Sequence, residues 1–152
     1  GDDEQQILIQ FQAYLEKVFA QNSRTLLCGH NIKEFDIPYI CRRLLINEMQ
    51  LSSPLLNLQS KKPWEVALVD TMDQWKFGDY KNYISLKLLA YLLKVPSPKD
   101  DISGKDVGRV YWQENGLERI KKYCEKDVAT VAQIVLKLKA DDLIDGNNII
   151  FS

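Results

Sequence analysis

Thr25-Leu26-Leu27-Cys28-Gly29-His30-Asn31-Ile32-Lys33-Glu34-Phe35-Asp36-Ile37-Pro38 carries the change of pattern that decides the fold. Thr25 to Gly29 is a short apolar run closed by glycine, which reads as a buried strand. Asp36-Ile37-Pro38 then opens a helix, because Asp is a good N-cap and Pro is tolerated in the first turn. The helical pattern continues through Tyr39, Ile40, Leu44 and Leu45. A second apolar run, Glu65-Val66-Ala67-Leu68-Val69-Asp70, reads as another strand and ends in an acid. Two apolar strands separated by a crossover helix should be parallel neighbours.

Outward from this unit, residues 4–20 carry Ile7, Leu8, Phe11, Leu15, Val18 and Phe19 at helical spacing. Asp2, Asp3 and Glu4 complement the start of that helix. Residues 50–63 hold Ser52, Ser53, Pro54, Asn57, Ser60 and Pro63 and read as an irregular connection. Ser85 caps a leucine-rich helix that Pro96 and Pro98 end. Lys99 to Gly108 is a polar loop, and a short helix is expected near Val107 to Trp112. The last helix spans Leu117 to Leu138, with Ile120, Tyr123, Cys124, Val128, Val131, Ile134, Val135 and Leu138 on its apolar side. Ile149-Ile150-Phe151 is a short strand or packing patch. The order helix, strand, helix, strand, helix, helix is an α/β pattern. Two strands make a poor sheet, so part of the sheet is expected elsewhere.

The chain has 152 residues, 45% hydrophobic and 27% charged, enough for one ordinary globular core. A net charge of -1 offers no global basic field for nucleic acid. Gripping a few nucleotides at a strand end needs only a local basic rim. Cys28, Cys41 and Cys124 show neither zinc spacing nor a disulfide framework. They lie in apolar elements and read as inert core thiols, in a reducing, cytoplasmic setting. No apolar run would span a bilayer, and the acidic, polar N-terminus is no secretory signal.

Two carboxylates announced by aromatics carry the chemistry. Asp36 follows Phe35 just after a strand end, a position that lines the crevice of an open α/β sheet. Asp127 lies four residues after Tyr123 on the last helix, hence on the same face. Hydrolysing a phosphodiester at neutral pH needs an activated water and charge relief on the leaving oxygen. Two divalent ions held by carboxylates can supply both. The Tyr123 phenol could orient or help deprotonate the water.

Asn31-x-x-x-Phe35-Asp36 and Tyr123-x-x-x-Asp127 resemble the second and third motifs of DEDD-type 3′–5′ exonucleases. The tyrosine makes the chain similar to the tyrosine subclass, which includes the proofreading domain of family-B DNA polymerases. Lys62-Pro63-Trp64-Glu65-Val66, Asp70-Thr71-Met72, Trp75-Lys76-Phe77-Gly78-Asp79-Tyr80 and Ser85-Leu86-Lys87-Leu88-Leu89 look like the predicted 3′–5′ exonucleases related to that domain. The resemblance covers nearly the whole chain. It implies a ribonuclease-H-like (DnaQ-like exonuclease) fold, two Mg²⁺ or Mn²⁺ ions, and release of nucleoside monophosphates from a 3′ end. It implies Asp36 and Asp127 as metal ligands and Tyr123 as the residue positioning the water. Asn31 and Phe35 would shape the site and contact the terminal nucleotide. The expected substrate is single-stranded DNA or a frayed 3′ end.

The family's first motif, Asp-x-Glu on a central strand, has no counterpart in an apolar run here. Asp2-Asp3-Glu4 matches the letters but reads as charge complementation of a helix start. The expectation is that residues 1–152 are the C-terminal portion of a single exonuclease domain, lacking its first three strands. Such a chain would hold two of four carboxylates, be incomplete alone, and offer an exposed sheet edge for association. The alternative is a catalytically inactive nucleic-acid- or protein-binding domain of the same fold. Several other features have blander readings. Asp70 reads as a turn or cap residue and His30 as a structural hydrogen-bonding group. Glu125 and Lys126 read as surface charges, and Arg42 and Arg43 as candidate phosphate contacts. Of the rings in Trp75, Lys76, Phe77, Tyr80, Lys81 and Tyr83, about half are expected in the core, the rest resembling a base-stacking surface.

Overall fold

Asp3 starts the first helix as its N-cap, its carboxylate accepting from the Gln6 amide. Helix α1 (Glu4–Gln21) follows, then β1 (Leu27–Gly29), α2 (Asp36–Ile46), α3 (Ser53–Leu56), β2 (Leu68–Asp70), α4 (Thr71–Lys76), α5 (Leu86–Leu92), α6 (Val107–Glu114) and α7 (Leu117–Leu138). A 3₁₀ turn at Gly146–Asn148 lies near the end. The computed structural model describes residues 3–22, 24–58, 61–62, 65–79, 81–96 and 102–151. Asp2, Ser60, Pro63, Trp64, Tyr80, Pro98 and Lys99 lie outside them. Chain contacts divide the molecule into two units, Gly1–Asp70 and Thr71–Ser152.

In the first unit β1 and β2 pair in parallel, with Leu27 opposite Leu68, Cys28 opposite Val69 and Gly29 opposite Asp70. The expected pairing is therefore present, but each strand is shorter at its start than the apolar runs suggested. Leu8, Leu15, Ile32, Ile37, Leu44 and Leu55 form the core, flanked by Phe11, Phe19, Leu27, Ile40 and Leu68. The irregular connection contains α3, with Pro54 in its first turn where a missing amide costs nothing. The Gln12 side chain ties this connection to α1, donating to the Gln50 carbonyl and accepting from the Ser52 amide.

In the second unit α4, α5 and α6 pack against α7. Leu89, Ala90, Val95 and Ile134 form its core, with Trp75, Ile84, Leu86, Leu93 and Leu138 around them. Ser85 caps α5 as its sequence indicated, its side chain accepting from the Leu88 amide. The helix stops at Leu92, before Pro96, where Lys94 turns left-handed at φ 55° and the Val95 amide donates back to Ala90. Asp70 is followed at once by α4, a helix the aromatic-rich sequence concealed. The tail corrects an expectation: Ile149 to Phe151 form no strand, and Ile150 is 91% exposed. Instead, Gln133 on α7 holds the segment before the tail, pairing with both the amide and the carbonyl of Ile144.

Candidate active site

The segment from Gly29 to Asp36 is a turn strapped from three directions. A Cβ on Gly29 would stand 2.8 Å from Cβ of Ile32, which is buried in the first core. Asn31 adopts φ 62°, a left-handed conformation that asparagine accepts more readily than most residues. The amide of Phe35 donates to the Asn31 carbonyl at 3.0 Å, and that of Ile37 to the Ile32 carbonyl at 3.1 Å. The third strap is Asp70, only 2% exposed at the end of β2. Its Oδ1 accepts from the Asn31 amide at 2.9 Å and its Oδ2 from the Lys33 amide at 3.1 Å. The turn-or-cap reading of Asp70 thus becomes a tertiary clamp, reaching across the strand pair to a turn 37 to 39 residues earlier. A buried carboxylate accepting backbone amides is a strong, charge-assisted restraint.

Asp36 is the first residue of α2 rather than its N-cap. That position belongs to Phe35, whose apolar side chain makes no capping bond. The Asp36 carboxyl is exposed enough to meet a ligand. Burial raises its pKa above the ordinary carboxylate value, a backbone hydrogen bond at its own residue opposes this, and the charge of Asp70 adds to the rise. The side-chain Oδ1 of Asn31 is buried with no hydrogen-bond partner. Phe35 is 64% exposed and stacks on Tyr39. Asn31, Phe35 and Asp36 thus belong to one turn in the first unit.

Tyr123 and Asp127 lie in the second unit, four residues apart on α7 and both half-buried. Cys124 beside them has its thiol pKa raised by burial and by the charge of Asp127. Glu125 and Lys126 are half-buried rather than fully exposed surface charges. Val128, placed on the apolar side by spacing, is 69% exposed, because α7 buries Thr130, Val131, Gln133 and Ile134 instead.

Several expectations change in the folded chain. Arg43 is not available as a phosphate contact: it forms a bidentate ion pair with Glu4, whose carboxylate also accepts from Asn47. These hydrogen bonds hold Glu4 down at about 2. Glu4 therefore fastens α1 to α2, and the helix-start reading of Asp3-Glu4 stands. Cys28 and Cys124 are exposed rather than core residues, and Cys41 is half-buried. In the aromatic-lysine run Trp75 packs on the second core, while Phe77 and Tyr83 are 86% and 68% exposed. Lys76 is the unexpected buried member, beside Asp73 at 3.6 Å and over the Tyr83 ring. The role of Asp70 as a clamp and the exposure of Tyr39 were both missed by the sequence reading. The available signals were an acid closing a strand, and an aromatic one helical turn after Phe35.

Asp36 in the first unit and Asp127 in the second each offer carboxylate oxygens, donors that suit a hard divalent cation in kind. Among the described residues, no three or more His, Cys, Asp or Glu gather into a metal-holding group. Among the described residues no helix is long and apolar enough to cross a membrane. No curated protein and no solved structure matches the chain at a significant level. A family model does, over residues 1–142, which include the strapped turn, both strands and the Tyr123–Asp127 helix. The chain belongs to the family of predicted 3′–5′ exonucleases related to the exonuclease domain of PolB.

Proposed function

We propose that this domain serves a metal-dependent 3′–5′ exonuclease of ribonuclease-H-like fold, which removes nucleoside monophosphates from single-stranded DNA 3′ ends. The observation that carries the reading is the strapped turn. A buried carboxylate, a glycine without room for a side chain and a left-handed asparagine all serve to hold one exposed carboxylate, Asp36, at a strand end. So many restraints on one short turn suit a site that must place a charge accurately. Family membership, the small parallel sheet and the α/β pattern support the same reading.

In this reading Asp36 and Asp127 hold Mg²⁺ or Mn²⁺. When bound, such ions would supply an activated water and charge relief on the leaving oxygen. Tyr123, one turn before Asp127, holds the attacking water by its hydroxyl and fixes its approach. Asn31 shapes the site for the terminal nucleotide, and Phe35 offers a ring face to the terminal base. Two carboxylates are half of the four that the DEDD scheme requires; Asp36 and Asp127 are the half carried by these elements.

The test is digestion of a 5′-labelled single-stranded oligonucleotide by the full-length protein with Mn²⁺. A ladder shortening from the 3′ end is expected. Asp36→Asn should slow it by about a hundredfold or more, the loss typical when electrostatic stabilisation of a transition state is removed. Tyr123→Phe should lower kcat more than it changes KM. Direct titration of Mn²⁺ by electron paramagnetic resonance should show weaker binding in Asp36→Asn and Asp127→Asn. Unchanged digestion by Asp36→Asn would sink the assignment.

A further inference from the structure

Helix α2 buries Ile37 and Leu44. At about 100° per residue these stand on one side, and Phe35, Tyr39, Arg42 and Ile46 stand on the other. That outer row faces water: Phe35 is 64% exposed, Tyr39 56% and Ile46 66%, and Arg42 is exposed with them. The rings of Phe35 and Tyr39 are nearly parallel, 10° apart in plane, with centroids separated by 6.3 Å. They therefore form an offset stack with each other, outside the first core. Folding gives little return for two such rings held in solvent, and large exposed apolar groups side by side mark a binding surface. Charge completes the row. Arg43 is committed to Glu4, whereas Arg42, one turn beyond Tyr39, makes no ion pair among the described residues.

We infer that Phe35, Tyr39 and Arg42 form a platform for the last two nucleotides of a single strand, Phe35 under the terminal base, Tyr39 under the next, and Arg42 on a following phosphate. The inference rests on the exonuclease reading, which supplies Phe35 as a base contact; Tyr39, the second base and the direction of the strand are added here. The occupant follows from the chemistry. Ring faces stack on bases of any sequence, and a guanidinium one turn further suits a phosphate. From Phe35 to Arg42 the helix rises about 10 Å. This exceeds one stacked-base step of about 3.4 Å, so the row has length for more than one nucleotide. Asp36 lies at the Phe35 end, so the row runs away from the proposed reaction centre along the strand that would be digested.

The experiment measures fluorescence anisotropy of 5′-labelled oligonucleotides with the full-length protein in EDTA, which prevents cleavage. One oligonucleotide has all its bases, and a second is abasic at the penultimate 3′ position. The wild type should bind the abasic strand about 5- to 100-fold more weakly, the range for one stacked base. Tyr39→Ala should bind both strands alike, at the weaker level, and Tyr39→Phe should restore the difference because only the ring face is used. Arg42→Gln should weaken both strands equally and lower the slope of log K against log salt by about one. Both positions of substitution are exposed, and the melting temperature should not move. If Tyr39→Ala keeps the wild-type preference for the base-containing strand, the platform is overturned while 3′ digestion leaves the exonuclease reading standing. If the wild type neither binds nor digests either strand, the exonuclease reading falls and takes the platform with it.

Discussion

The two motifs of this domain are held in different ways. Tyr123 and Asp127 sit on a regular helix of 22 residues, and their four-residue spacing alone puts them on one face. Asn31, Phe35 and Asp36 sit on a turn whose backbone has no such internal ladder. It is held by Asp70 from the neighbouring strand, by contact of Gly29 with Ile32, and by the left-handed Asn31. A helical motif is placed by local periodicity and tolerates change at its neighbours. A turn motif is placed by tertiary partners, and losing one of them releases the whole segment.

Asp70 gives the sharpest way to break this comparison. Asp70→Ala leaves two amides without their charged acceptor inside the protein, and it should lower stability by about 3 kcal/mol in urea unfolding. Asp127→Ala, on the half-buried face of a helix, should cost less than about 1 kcal/mol. Equal losses at the two sites would erase the distinction. The glycines extend the contrast with smaller effects of opposite sign. Gly29→Ala forces a methyl to 2.8 Å from Ile32 and should destabilise by about 1–3 kcal/mol. Gly108→Ala lies in α6 with open space around the added methyl, and should stabilise by about 0.5–1 kcal/mol through helix propensity. Differential scanning calorimetry of the pair reads both signs.

The smallest expected effect is on pH dependence within the first unit. Glu4 has its pKa lowered to about 2 in the fold, chiefly by hydrogen bonds from Arg43 and Asn47. Its contribution is therefore present above the ordinary value of 4.5 and is lost as pH falls toward 2. Glu4→Gln should flatten the acid loss of stability in that window. Asp36 works in the opposite sense. Its raised pKa means that its contribution is complete below 3.8 and is lost as pH rises through the folded value. Asp36→Asn should thus gain on the wild type as pH rises above 4. Stability measured from pH 2 to 7 for both variants tests the two signs together.

Much of the fold was legible in the chain. The last helix was readable from its apolar spacing, the cap of α5 from Ser85, and the parallel strand pair from two apolar runs flanking a helix. Helices α3 and α4 were hidden, because Pro54 and the aromatic cluster near Trp75 carry signals that also mark loops. The two motifs could be found in order, since their residues are fixed in spacing by a turn and a helical repeat. The grip of Asp70 could not be read, because a hydrogen bond between residues 39 apart leaves no periodic trace. Nor could the exposure of Cys28, Cys124 and Val128, because apolar character alone does not decide which face of an element folding covers.

Sequence alone therefore determined the parallel strand pair and the long helices, which carboxylates follow aromatics, and the family to which residues 1–142 belong. Those properties depend on near neighbours along the chain, and local spacing encodes them directly. Tertiary structure decided which acid became a clamp and which stayed exposed, that Glu4 takes Arg43, and that Phe35 and Tyr39 stack in water. Asp36 and Asp70 are the same residue type, each at the end or start of a regular element; the backbone amides that folding brings to Asp70 make it a buried restraint, whereas Asp36 stays exposed.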